Sequence, residues 1–348
     1  MKLLENFKIF NLWNREEISI DLHSQVTFLS GYNGSGKSTI LNILFDTLSS
    51  EFYGTSKQRF WTCTANFSDK TSISRACLPY SSHSIDIANN IDDYIIEDDL
   101  YSYASIKNVE QNFAEKLENQ KYNLYNSKEC GVLSIQSHEF NFEPFLFQDE
   151  RRCMHNISNT NIDFDSQYWG KYGIELDQKL IYVLDKLQIY EAKTNKLLTE
   201  ELFSLSKKST KREMFNLIEK HESSRKDLKK LTRTLNSYFI QLGKIICKDE
   251  SERLELEVIG TKERIHWYNL SRGEKTLMYL FLVTFLYRDS TSIFIFDEPD
   301  IAIHIEWQES LVKHLLEMAP NCQFLIATHS PALVMNGWLD NVISLKMV

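Results

Sequence analysis

Three glycines, Gly31, Gly34 and Gly36, lead directly into Lys37 and Ser38 in the octet GYNGSGKS. The spacing is G-x-x-x-x-G-K-S, and the residue types suit one task. Glycines let successive backbone N–H groups turn toward phosphate oxygens, Lys37 reaches the β and γ phosphates, and the Ser38 hydroxyl is a ligand for Mg²⁺. Asn33, Ser35 and Thr39 complete the expected nucleotide-binding set with Gly31, Gly34, Gly36, Lys37 and Ser38. Far downstream, Ser292-Ile-Phe-Ile-Phe-Asp297-Glu298-Pro299 is an apolar run that ends in two adjacent carboxylates. Beside a phosphate loop, Asp297 is expected to hold the metal, and Glu298 to orient or deprotonate an attacking water.

These residues need a strand, a loop and a helix in that order. Residues 2–10 and 17–30 read as two strands around a turn at Asn14-Arg15, and the second runs into the glycines. STILNILFDTL, residues 38–48, carries apolar residues at helical spacing, so the glycines lie at a helix N-terminus, the positive end of its dipole. Between about 58 and 148 come short β-rich pieces, RFWTCTANF, HSIDIANN and FEPFLFQ. From about 174 to 247 the pattern turns helical. After Leu254, strands and helices alternate: LELEVIG, a helix from 272, SIFIFDEP, a helix over 302–318, CQFLIATHS and a strand near VISLKMV. Such alternation predicts an α/β class with a mostly parallel sheet covered on its faces.

Two further segments complete the pattern. Asn269-Leu-Ser271-Arg272-Gly273-Glu274 precedes a helix, and Ala327-Thr-His329-Ser-Pro331 follows a strand. In the order phosphate loop, LSxGE, DEP and lone histidine, the chain resembles the ATP-binding-cassette ATPases. DEPDIAIHIEWQ, THSPALV and the N-terminal NF dipeptide are similar to the SMC/RecF/OLD-type branch, in which the THSP and DEP segments are common. The resemblance implies a head with mixed sheet core, β-rich N-terminal lobe and helical insertion. It also implies a homodimer through composite ATP sites, in which Ser271, Arg272, Gly273 and Glu274 of one subunit close on the γ-phosphate held by the other. His329 matches the switch histidine that contacts that phosphate, with a buried core histidine as the alternative. A nucleotide-sensing glutamine is expected between the lobes. Gln148, in FQDERR, is the candidate for metal and nucleotide contact, and a surface turn is the competing reading. Arg59 is a weaker candidate for a phosphate or DNA contact. His304 stands near the dimer contact of that branch, or simply starts a helix. The expected cofactors are ATP and Mg²⁺.

The motifs occupy residues 1–50 and 265–335, which suggests three parts: 1–150, a helical insert over 151–255, and 256–348. The insert lacks a sustained heptad repeat, so no long coiled coil is expected. No Toprim nuclease is expected after THSPALVM. The chain of 348 residues has 39 Lys+Arg and 48 Asp+Glu, a net charge of −9, which is ordinary globular composition. Against that acidic total, residues 207–233 hold ten Lys/Arg and four Asp/Glu. That stretch can bind DNA or RNA backbone or an acidic partner, or can be a solvated helix face. Residues 84–100 hold six acidic residues and no basic one, read as a solvated loop. Six scattered cysteines without C-x-x-C pairing argue against a zinc site or disulfide framework. The longest apolar run, Leu277 to Tyr287, is too short to span a bilayer, and the N-terminus does not read as a signal peptide. A cytoplasmic location is expected. Compactness and the FQDERR segment resemble ATPases of bacterial anti-phage systems, the Septu, PARIS and retron-associated types. That resemblance implies a dimerising ATPase that senses or gates a separately encoded nuclease or toxin. The alternative is a RecF-like or SMC-like DNA-repair ATPase.

Overall fold

The computed structural model describes residues 2–10, 12, 17–49, 61–78, 122–127, 130–136, 142–148, 175–205, 226–250 and 252–345. The Asn14-Arg15 turn, Arg59, the acidic segment 84–100, residues 149–174 and the basic residues 207–225 lie outside them.

Among the described residues, β1 (Leu4–Phe10), β2 (Glu17–Asp21), β4 (Trp61–Phe67), β5 (Ser72–Leu78), β6 (Tyr122–Ser127) and β7 (Cys130–Gln136) form an antiparallel sheet in the order β2-β1-β4-β5-β7-β6. A parallel sheet follows the order β14-β3-β13-β12-β8, built from β3 (Val26–Ser30), β8 (Pro144–Gln148), β12 (Ile293–Asp297), β13 (Gln323–Ala327) and β14 (Val342–Ser344). A small antiparallel sheet joins β9 (Lys244–Lys248), β10 (Leu254–Val258) and β11 (Arg264–Ile265). The helices are α1 (Lys37–Leu48), α2 (Glu175–Leu205), α3 (226–239), α4 (Arg272–Tyr287), α5 (Ile305–Met318) and the short α6 (Pro331–Met335). No helix among the described residues is long and apolar enough to cross a membrane. The class is α/β.

Two segments depart from the expectations. Residues 17–30 are two strands in different sheets rather than one. EISID alternates exposed and buried positions, as suits a sheet with one wet face, whereas VTFLS is buried on both sides. The chain changes sheets at residues 22–25, where Leu22 N–H donates to Glu5 O and His23 N–H to Thr27 Oγ1. Residues 244–248 form strand β9 and not the end of a helix. Gly243, at φ 67, stops the preceding turn, and the β-branched pair Ile245-Ile246 favours extension.

The parallel sheet explains its own composition. Phe28, Phe145, Phe147, Phe294, Phe296 and Phe324 point to one face and pack with α2, α3, α4 and α5. Leu29, Leu146, Ile293, Ile295 and Leu325 point to the other and pack with α1 and the antiparallel sheet. In β8 and β12 aromatic and aliphatic residues alternate, so that each strand feeds both cores. Helix α1 is held between the two sheets. Its last carbonyls, Asp46 O and Ser49 O, accept from Arg75 of β5, a buried cation at the negative end of the helix dipole.

Candidate active site

The turn from β3 into α1 sets the first wall of the site. Gly34 and Gly36 have φ 81 and φ 90, and Gly36 is the N-cap of α1 with no side chain bonded to the first-turn amides. Those amides face outward at the positive helix end, which suits phosphate oxygens. Gly31 is needed for space, since a Cβ there would lie 2.8 Å from Ser35 Oγ and 3.0 Å from Leu345 O. An open cleft of about 730 Å³ is lined by Ser30, Gly31, Tyr32, Asn33, His329 and Ser344.

Lys37, the first residue of α1, folds back over the loop. Its Nζ donates to Gly31 O at 3.1 Å and Tyr32 O at 3.3 Å, and lies 2.7 Å from His329 Nε2. As an ammonium, Lys37 is the donor in that contact and Nε2 the acceptor. Burial lowers the Lys37 pKa below its ordinary value, while Glu298 and Asp297 act in the opposite direction. Glu298 Oε1 is 3.5 Å from His329 Nε2. The backbone at Glu298 is left-handed, φ 54, and its N–H donates to Ala327 O at 2.8 Å, so the side chain leaves the end of β12 toward the histidine two residues beyond β13. Lys37, Glu298 and His329, from three elements, thus meet at the mouth of the loop.

Behind them lies a second polar group. The ladder puts Gln148 of β8 opposite Asp297 of β12. Gln148 Nε2 donates to Asp297 Oδ2 at 3.0 Å and to Asn42 Oδ1 at 2.9 Å. Asn42 lies one turn beyond Ser38 on α1, the polar residue of an otherwise apolar helix stretch, and that periodicity was the signal for it. Lys179, buried on α2, donates to Gln148 O at 2.8 Å, which ties α2 to this strand end. The Ser38 hydroxyl and the Asp297 carboxylate offer oxygen ligands, which fit Mg²⁺ rather than a soft metal, whereas the Gln148 amide presents its nitrogen to Asp297 and would have to rotate to offer its oxygen. No cluster of three His, Cys, Asp or Glu suited to a metal occurs among the described residues, so phosphate oxygens and water would complete the shell. Thr39 is partly buried in the first turn of α1.

Ser271 to Glu274 form the N-terminus of α4. Ser271 is the N-cap of a reciprocal capping box: its Oγ accepts from Glu274 N–H, and Glu274 Oε2 accepts from Ser271 N–H at 2.9 Å. Glu274 Oε1 accepts from Lys244 Nζ at 2.6 Å. Burial acts to raise the Glu274 carboxyl, but Lys244 and the Ser271 donors outweigh it and hold it below its ordinary range. Ser271 and Arg272 are exposed, whereas Gly273 and Glu274 are buried. Gly273 has a neighbour in its own chain: a Cβ there would sit 2.3 Å from Ala302 O. Sequence reasoning gave this glycine only a role toward a second subunit. His304 is the exposed N-cap of α5, and its carbonyl accepts from Trp307 and Gln308 N–H.

A family model described as "AAA domain, putative AbiEii toxin, Type IV TA system" matches residues 155–336, and another described as "AAA domain" matches residues 3–243. Among curated relatives, the "Retron Vc95 probable ATPase" of Vibrio cholerae serotype O1 biovar El Tor is 35% identical over 91 residues, covering 22% of this chain and 17% of the relative. The "Retron Ec83 probable ATPase" of Escherichia coli is 30% identical over 142 residues, covering 33% and 26%. The matched parts are thus about a quarter or less of those relatives' lengths. Among solved structures, an Smc head domain from Pyrococcus furiosus bound to the C-terminal domain of ScpA aligns with TM-score 0.45 and 17% identity over 99% of this chain and 93% of that one. The SMC head domain from Thermotoga maritima aligns with TM-score 0.43 and 12% identity over 99% and 95%.

Proposed function

Since the chain belongs to the AAA-domain family, matched over residues 3–243, we propose that it binds ATP with Mg²⁺ and hydrolyses it where Lys37, Glu298 and His329 meet. The observation that carries this reading is that meeting: His329 Nε2 lies 2.7 Å from Lys37 Nζ and 3.5 Å from Glu298 Oε1, beside a glycine loop at a helix N-terminus. Backbone amides of residues 34–39 take the phosphates, and Lys37 exchanges its carbonyl partners for β and γ oxygens. Glu298 orients a water and accepts its proton as the water oxygen bonds to the γ phosphorus. The bond from that phosphorus to the β–γ bridging oxygen breaks, and ADP and phosphate leave. His329 holds the γ-phosphate side of the site. Ser38, Asp297 and Gln148 would hold Mg²⁺, which would supply charge neutralisation to the phosphates.

Ser271 to Glu274 of a second copy close on the γ-phosphate, so two nucleotides hold a homodimer together. Similarity to the two retron proteins supports a place in anti-phage defence, in which the dimer restrains or releases a separately encoded nuclease or toxin in the cytoplasm. A second reading, DNA binding by a repair ATPase, is favoured by the basic stretch 207–233. Its described part lies in α3, where Lys226, Lys229 and Arg233 are exposed.

Glu298→Gln tests the first reading. The variant should bind ATP and turn over about 10²-fold or more slowly, and turnover at the wild-type rate would place the base elsewhere. Expressed with its neighbouring genes and recovered in ATP and Mg²⁺, it should carry a stoichiometric second protein by native mass analysis. Dimers that carry only nuclease-sensitive DNA would favour the second reading.

A further inference from the structure

The loop from β12 to α5 is joined to the loop after β13 by a closed set of hydrogen bonds that the hydrolytic steps above leave unused. Thr328 Oγ1 donates to Asp300 Oδ1 at 2.7 Å and accepts from Ser330 N–H at 2.9 Å. The Ser330 hydroxyl donates to Gln308 Oε1. Gln308 Nε2 returns to the first loop, donating to Ile303 O at 2.7 Å and Asp300 O at 3.3 Å. Thr328 and Gln308 are buried, 2% and 8% exposed; the bond from Gln308 to Ile303 O is buried, and the others are partly so.

The ring brackets the reacting groups. Asp300 follows Glu298 by two residues, and Thr328 and Ser330 flank His329 on either side. The backbone of Thr328 is pinned as well, its N–H donating to Leu29 O at 3.1 Å in the strand that launches the glycine loop. Two non-glycine residues of the first loop, Glu298 at φ 54 and Ala302 at φ 67, hold left-handed conformations. Such conformations persist where surrounding contacts over-determine them. Ala302 also presents its carbonyl to Gly273, with no room for a Cβ between them. One short loop therefore touches Glu298, the His329 loop and the N-terminus of α4.

We propose that Asp300, Thr328 and Gln308 are positioning residues that set His329 against Glu298, and that through Ala302 they make this setting depend on where the Gly273 end of α4 sits. The inference rests on the hydrolytic reading above. A ring that merely staples two loops would change stability and leave turnover of the folded chain alone. A ring that positions His329 changes turnover at nearly constant nucleotide affinity, because displacement of a reacting group by about 1 Å costs up to about 10²-fold in rate.

The experiment compares the full-length wild type with Thr328→Val, Thr328→Ser and Asp300→Asn. It measures kcat, KM, equilibrium affinity for a fluorescent ATP analogue, and Tm. Valine keeps the volume and removes both hydrogen bonds, serine keeps the hydroxyl, and asparagine keeps an acceptor oxygen. Thr328→Val should lower kcat about tenfold or more, with KM and affinity within about twofold. Thr328→Ser and Asp300→Asn should retain most of the wild-type rate. Added to His329→Ala, Thr328→Val should cost little more, because one acts through the other. Folded Thr328→Val with wild-type kcat, or losses that multiply with His329→Ala, would overturn the inference alone. A wild type that binds ATP without hydrolysing it would overturn the hydrolytic reading, and the inference with it. If Thr328→Val does not fold, Ser330→Ala opens the ring at a less buried point and should lower kcat selectively; unchanged kcat there would again overturn the inference.

Discussion

Lys37 holds two loop carbonyls and an imidazole, and nucleotide must replace all three partners. Lys37→Ala should therefore weaken ATP binding by at least about tenfold, since a charge-assisted bond to phosphate is worth more than the neutral ones it replaces. Isothermal titration checks this, and undiminished affinity would remove the loop from the nucleotide site. Gln148 links Asp297 and Asn42 by one amide nitrogen. Gln148→Leu should raise the Mg²⁺ concentration needed for half-maximal turnover, read by titrating the metal at saturating ATP; an unchanged requirement would assign Gln148 to packing alone. Glu274 makes a prediction about acid. Its folded carboxyl lies below the ordinary 4.5, so its pairing with Lys244 contributes stability that is complete above the unfolded value. That contribution is lost as pH falls through the folded one. The difference in Tm between wild type and Lys244→Met should accordingly shrink from about pH 7 to about pH 3, and a constant difference would assign the effect of Lys244 to packing.

Helix α4 begins against another element's backbone, and this makes Gly273 vulnerable inside its own chain. Gly273→Ala should cost about 1–3 kcal/mol as the Ala302 carbonyl is pushed aside, measured by denaturant unfolding, and an unchanged midpoint would show that the loop yields freely. The elements that carry the motifs could be read from residues because local pattern and burial agree there. IFIF, residues 293–296, is apolar at every position, as a strand covered on both faces must be, and STILNILFDTL has a helix's period. Reading failed where two environments follow each other within one apolar stretch: nothing in ISIDLHSQVTFLS marks the change of sheet except the shift from alternating to continuous hydrophobicity. At KIICK the helical run before it masked a β-branched signal. The positions of Lys37, Asp297, Glu298 and His329 were anchored by motifs. Those of Lys179 and Lys244, and the ring of Asp300, Thr328, Gln308 and Ser330, depend on which strands and helices become neighbours, and residue spacing does not encode that.

The proposed subunit arrangement rests on which groups the chain leaves exposed at its helix ends. Ser271 and Arg272 face outward at the N-terminus of α4 while their neighbours are buried. Ser271→Arg should keep ATP affinity yet fail to form the nucleotide-dependent dimer, by native mass analysis in ATP and Mg²⁺; dimers at wild-type abundance would count against a composite site. For the DNA reading, reversing the charges of Lys229 and Arg233 should lower duplex affinity and flatten its dependence on salt. The parallel sheet has a further consequence, for biosynthesis. β3, which launches the glycine loop, pairs on one side with residues 323–327 and on the other with residues 342–344, and Gly31 is confined by Leu345. As the polypeptide emerges from a ribosome, β3 is translated long before β13 and β14 and stays without these neighbours until both have followed. Until then a bare apolar edge must be shielded from other nascent chains. The wall that confines Gly31 is thus complete only once β14 has closed on β3.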